Sequence, residues 1–153
     1  MRTLAVFVLA FVLTSACAPS LTMRTDPSFT EAERVQIIRA AERWNEVTKP
    51  THRISIKPSG EWYIDEAIII EDATGVWNGR VLSSQRLVQI DNDPAGTTTY
   101  HVALHEFGHV LGLRHTTRGV MQDGPSMVAE GIIPPGEFAP EDIGECKRVG
   151  ACP

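Results

Sequence analysis

Residues 105 to 115 read His105-Glu106-Phe107-Gly108-His109-Val110-Leu111-Gly112-Leu113-Arg114-His115. On an α-helix His105 and His109 stand four apart, so both imidazoles share one face and can reach one ion. Glu106 projects about 100° round the helix from His105, beside such an ion rather than on it. Gly112 can take left-handed dihedrals, which stops the helix and turns the backbone sharply. That turn returns His115 as a third nitrogen. Three histidines leave one position open on a four-coordinate zinc ion, as catalytic sites need and structural sites avoid. At ordinary residue frequencies the pattern arises by chance in about one such chain in a hundred thousand, which sets it apart from three histidines packing an ordinary helix.

The chemistry follows from the residue types. Zinc lowers the pKa of its water to about 7 and polarises a carbonyl. Glu106 is placed to act as general base for the attacking water and to pass the proton to a leaving amine. The expected reaction is hydrolysis of internal peptide bonds by a metal-activated water.

Shortly after His115 comes Gly119-Val120-Met121. The histidine motif followed by a methionine turn resembles the metzincin metallopeptidases. The resemblance implies one catalytic Zn2+ held by His105, His109 and His115, with Met121 as a hydrophobic floor beneath the metal. Thr116, directly after the third histidine, is most similar to the serine of matrixins. Their layout implies an inner strand at Ala67–Ile70 and a next strand at Leu87–Ile90. Between them Gly79–Ser84 would be an edge strand that pairs with a protein or peptide substrate. Residues 98 to 122 carry the likeness. The sequence departs from matrixins elsewhere: no propeptide with a cysteine switch and no counterpart of the structural zinc and calcium sites is found. Gln122-Asp123-Gly124-Pro125 stands where the family has a Pro-x-Tyr wall.

Outside the motif, the chain reads as an α+β domain over residues 29–153. Thr30 and Glu33 fit a capping box, opening a helix that ends near Thr48, before Pro50. Val35, Ile38, Ala41 and Trp44, with Ile37 beside them, predict its buried face. Ile54–Ile56, Ala67–Ile70, Val81–Leu82 and Leu87–Ile90 read as short strands. A central helix starts at Thr98 or Thr99 and runs to about Leu111. Pro140 opens a short third helix through Asp142 to Cys146. The resemblance makes this a short twisted mixed sheet with an N-terminal, a central zinc-binding and a C-terminal helix.

With 153 residues the chain has room for one domain, and 42% hydrophobic residues exclude wholesale disorder. A net charge of -5 with no long basic run argues against nucleic-acid binding. Met1-Arg2 followed by the apolar run Leu4–Leu13 reads as a signal peptide over residues 1–16, too short to span a bilayer comfortably. Leu13-Thr14-Ser15-Ala16-Cys17 resembles a bacterial lipobox, which would place a lipid on Cys17 and hold the protein at the cell envelope. The competing reading is cleavage after Ala18, giving a secreted, soluble protein. Residues 17–28 read as a tether. If lipid takes Cys17, an even pair remains, so Cys146 and Cys152 are expected to form a disulfide.

Other candidates are weaker. His101, one turn before His105, would close the site if it bound the metal. His52 reads as strand-flanking, Trp44, Trp62 and Trp77 as core or rim aromatics, and Asp91 and Asp93 as turn formers. Two further functional readings stand beside the peptidase. One is a non-catalytic zinc-binding envelope lipoprotein acting as a binding module, against which the retained Glu106 argues. The other is a zinc hydrolase of a non-protein substrate.

Overall fold

The computed structural model describes residues 19–57, 68–72, 79–82, 85–90, 98–122 and 137–153. Five strands, β1 (Ser20–Thr25), β2 (Arg53–Lys57), β3 (Ile68–Asp72), β4 (Gly79–Leu82) and β5 (Leu87–Ile90), form one sheet in the order β2-β1-β3-β5-β4. The β1–β2, β1–β3 and β3–β5 pairs are parallel, and β4 runs antiparallel to β5 at the edge. Three helices complete the described structure: α1 (Glu31–Thr48), α2 (Thr99–Val110) and α3 (Pro140–Arg148). Among the described residues no helix is long and apolar enough to cross a membrane.

The expected tether is corrected over Ser20–Thr25. These residues form an interior strand, hydrogen-bonded to β2 on one side and β3 on the other. Leu21 and Met23 alternate with Thr22 and Arg24, the period-2 pattern of a strand with one buried face. Met23 is fully buried and Thr25 nearly so. The fold therefore includes Ser20–Thr25, ahead of the expected boundary at residue 29, with β1, α1 and β2 as a βαβ unit.

Helix α1 opens on its capping box. Thr30 Oγ1 accepts from the Glu33 amide at 3.3 Å, and Glu33 Oε2 accepts from the Thr30 amide at 2.7 Å. Its buried face differs from the expected one. Ile37, Ala40, Ala41 and Trp44 point into the core, whereas Val35 and Ile38 remain 44% and 41% exposed. Several apolar residues crowd the same turns, and only one overlapping stripe can face the sheet. Trp44 sets the choice: its indole Nε1–H donates to the Leu104 carbonyl of α2 at 2.7 Å from a fully buried position. At the other side of α1, the Asn45 amide clamps Ile54 of β2, accepting from its N–H at 2.7 Å and donating to its carbonyl at 2.8 Å. Helix α1 thus docks α2 against the sheet.

Cys146 and Cys152 are joined by a disulfide with Cα atoms 5.2 Å apart. It pins the tail to the end of α3, and the Thr51 hydroxyl donates to the Ala151 carbonyl from the α1–β2 connection.

An interior β1 has a measurable consequence. Met23→Ala should lower the unfolding free energy by roughly 2–5 kcal/mol in a denaturant titration, the cost of emptying a core methionine site. A residue in a tether would change it by less than about 0.5 kcal/mol.

Candidate metal centre

Helix α2 carries His105 and His109 on one face and ends just beyond them. Leu113 N–H donates to the Gly108 carbonyl and Gly112 N–H to the His109 carbonyl, both at 2.9 Å. This is a Schellman ending, with Gly112 at φ +90°. The reversal brings His115 back, and the three side chains each offer a nitrogen within 4.8 Å of the others. His109 Nε2 is 3.1 Å from His105 Nε2 and 3.1 Å from His115 Nε2.

The donor set fits a metal. His105 Nδ1 lies 2.7 Å from the Val120 carbonyl and His109 Nδ1 lies 2.9 Å from the Leu113 carbonyl. A carbonyl only accepts, so both Nδ1 atoms carry a proton, and in the neutral form each ring presents a bare lone pair at Nε2. Two lone pairs held 3.1 Å apart repel unless a cation lies between them. Tetrahedral zinc with Zn–N bonds of about 2.0–2.1 Å separates its ligand nitrogens by roughly 3.3 Å. His101 lies outside this cluster, half-buried and edge-on to Tyr100, with burial holding its pKa below the usual histidine value.

The turn after His115 is held from below. Thr116 N–H donates to the Met121 carbonyl at 2.8 Å, closing a loop whose Val120 carbonyl orients His105. Met121 is fully buried. It reaches under α2 because position 108 has no side chain: a Cβ there would lie 2.2 Å from Met121 Sδ and 3.0 Å from Trp44 Cζ2.

The buried Asp142 of α3 then fixes the turn. Its Oδ2 accepts from Val120 N at 2.8 Å and Ala139 N at 2.9 Å. Its Oδ1 accepts from Met121 N at 3.1 Å and is 2.9 Å from the Thr116 hydroxyl. One carboxylate thereby caps α3 and ties down the methionine turn. Glu145, one helical turn on, accepts the Arg114 amide next to His115 at 3.0 Å. The Arg148 guanidinium and that amide hold the Glu145 carboxyl down at about 2. Sequence reading missed Gly108, Asp142 and Glu145. Asp142, an acidic residue in the first turn of the helix that Pro140 opens, was the one available signal.

Glu106 is 4% exposed, and its Oε2 has no hydrogen-bond partner among the described residues. Burial pushes its carboxyl from 4.5 up to about 8. A dication at the three nitrogens favours the charged form, so the raised value belongs to the metal-free protein. Cys17, Trp62, Trp77, Asp91, Asp93 and the 83–84 end of the expected edge strand lie outside the described residues. His52 follows α1, its amide donating to the Thr48 carbonyl.

A mixed sheet edged by one antiparallel strand, with a three-histidine helix and a methionine turn beneath it, defines a metzincin-type domain. Residues 10–127 match the matrixin family of zinc metallopeptidases, more than half of the chain, and the chain belongs to that family. Among solved structures it is similar to myroilysin, with TM-score 0.51 and 18% identity over 81% of this chain and 64% of that one. It is also similar to high choriolytic enzyme 1, a hatching enzyme zinc-protease from the medaka Oryzias latipes. There the TM-score is 0.45 and the identity 17%, over 67% of this chain and 52% of the other. The chain thus spans less than two thirds of either structure's length. No curated protein matches it in sequence.

The buried carboxyl predicts how stability of the metal-free protein depends on pH. Its folded pKa lies above its unfolded one, so its stabilising contribution is complete below about 4.5 and is lost as pH rises through about 8. With chelator present, thermal unfolding of wild type should fall relative to Glu106→Gln between those values. Parallel melting curves across that range would contradict the assignment.

Proposed function

We propose that this chain is an active zinc endopeptidase, held at a bacterial cell envelope, that cuts peptide bonds with Glu106 as general base. The observation that carries the reading is the pairing of three convergent imidazole nitrogens with a buried carboxylate one residue from the first of them. A site that only stores zinc gains nothing from burying a carboxylate beside it, and burying one without a partner is costly.

His105, His109 and His115 would hold the ion, which when bound supplies a Lewis acid and eases ionisation of water. Nδ1–H bonds to the Val120 and Leu113 carbonyls keep two of the rings in the ligating tautomer. Glu106 accepts a proton from the attacking water and returns it to the departing amine. The substrate is a protein or peptide in extended form. Among the described residues β4 ends the sheet, and its outer edge is the backbone with which such a chain would pair.

Attachment to the envelope rests on the lipobox-like string ending at Cys17. The first described strand begins at Ser20, three positions on. Three extended residues span roughly 10 Å. A lipid on Cys17 would therefore hold the domain against the membrane, limiting it to substrates at the bilayer surface.

The kinetic test is Glu106→Gln. Wild type should carry one zinc per chain and cleave peptides in a chelator-sensitive way. The variant should keep its zinc and lose about 10²–10⁴-fold in kcat with KM little changed. Equal rates would rule out Glu106 as the base, and an inactive wild type with bound zinc would favour a binding module. Mass spectrometry of the mature N-terminus tests the anchor: a lipidated Cys17 is expected, and an unmodified chain starting at Pro19 refutes it.

A further inference from the structure

Strand β4 borders α2, and its inward-facing row begins with a residue that has no side chain. Gly79 pairs with Ile90 and Val81 with Val88. Opposed residues of an antiparallel pair point to the same face. Ile90 and Val88 are fully buried, so positions 79 and 81 face inward. Val81 fills its place by packing on the core. At Gly79 the space belongs to α2 instead: a Cβ there would lie 2.6 Å from Val102 Cγ1 and 2.8 Å from both Cγ and Oε1 of Glu106. Carbon atoms in contact stand about 3.5–4.0 Å apart, so Glu106 occupies the volume a side chain would need.

We propose that Gly79 is the positioning residue for Glu106, an inference that rests on the peptidase reading. The bare backbone lets the edge strand close onto α2, and that contact fixes the carboxylate. Packing shares this task because Oε2, buried and without a hydrogen-bond partner among the described residues, has no polar contact to aim it. The three nearest atoms all belong to side chains. A methyl group at position 79 can therefore be admitted without moving the helix, provided the Val102 and Glu106 side chains both swing aside. The sheet survives, and the carboxylate loses its aim.

The test compares wild type, Gly79→Ala, Glu106→Gln and the double variant in one peptide-cleavage assay, with zinc content measured throughout. Gly79→Ala should keep its zinc and lose about 10²-fold in kcat, the scale of an ångström-sized misplacement, with KM close to wild type. In the Glu106→Gln background the same substitution should cost nothing further, since the group it positions is already disabled. A wild-type kcat in Gly79→Ala overturns the inference, as does a loss confined to KM or one equally large without Glu106. Gly79→Ala/Val102→Ala removes the nearest obstruction and serves if the single variant is unstable. Its kcat should stay low, and recovery there would make Gly79 a packing residue only. An inactive wild type marks failure of the peptidase reading, whereas an active Gly79→Ala marks failure of this inference.

Discussion

Three imidazole nitrogens must be held within 4.8 Å of one another, with His109 Nε2 3.1 Å from each of the other two, although without a cation their lone pairs repel. The surrounding structure supplies the restraint. Two of the rings are fixed by hydrogen bonds to carbonyls that lie beyond the helix, Val120 in the methionine turn and Leu113 in the return loop. A ring oriented by a loop is only as well placed as the loop itself. The turn is held by Asp142, the return loop by the Schellman ending and by Glu145, and α2 by Trp44 of α1. Each link transfers the problem outward until it reaches packed core.

The same economy governs the carboxylate. Glu106 shares the helix with two histidines, and two glycines, Gly108 on that helix and Gly79 on the edge strand, set how closely other elements approach it. Gly108 admits Met121 and Trp44 beneath the helix, while Gly79 admits Glu106 beneath the edge strand. Both are close approaches that any Cβ would block. The methionine turn and the edge strand can therefore both lie tight against α2, which leaves the carboxylate dry enough that burial lifts its pKa to about 8. A base that is desolvated before metal and substrate arrive needs little reorganisation when they do.

What the sequence made legible was local. The spacing of His105, His109, Gly112 and His115 is dictated by helix geometry and a single turn, and the Thr30–Glu33 cap by one hydrogen-bonded ring, so both can be read without neighbours. Strand β1 could not. Leu21 and Met23 are its only apolar residues, and its place in the sheet comes from pairing with Arg53–Lys57 and Ile68–Ile70, partners distant in sequence. The face of α1 failed for a related reason. Val35, Ile37 and Ile38 are all apolar, and the choice among them depends on where Leu104 sits. Asp142 looks like any acidic residue in a first helical turn. Its role lies with amides some twenty positions earlier.

Asp142 also links the disulfide to the metal site. Helix α3 is short, and its first turn anchors the methionine turn while Glu145 holds the backbone before His115. A helix of nine residues is not stable by itself. Its far end is locked by Cys146–Cys152, and the tail is joined through Ala151 to Thr51 in the α1–β2 connection. Closing so small a loop removes roughly 2 kcal/mol of chain entropy from the unfolded state. That is small for a whole domain but large for a helix of nine residues. The bond therefore acts less on the fold at large than on α3, which braces the turn under His105 and the loop leading to His115.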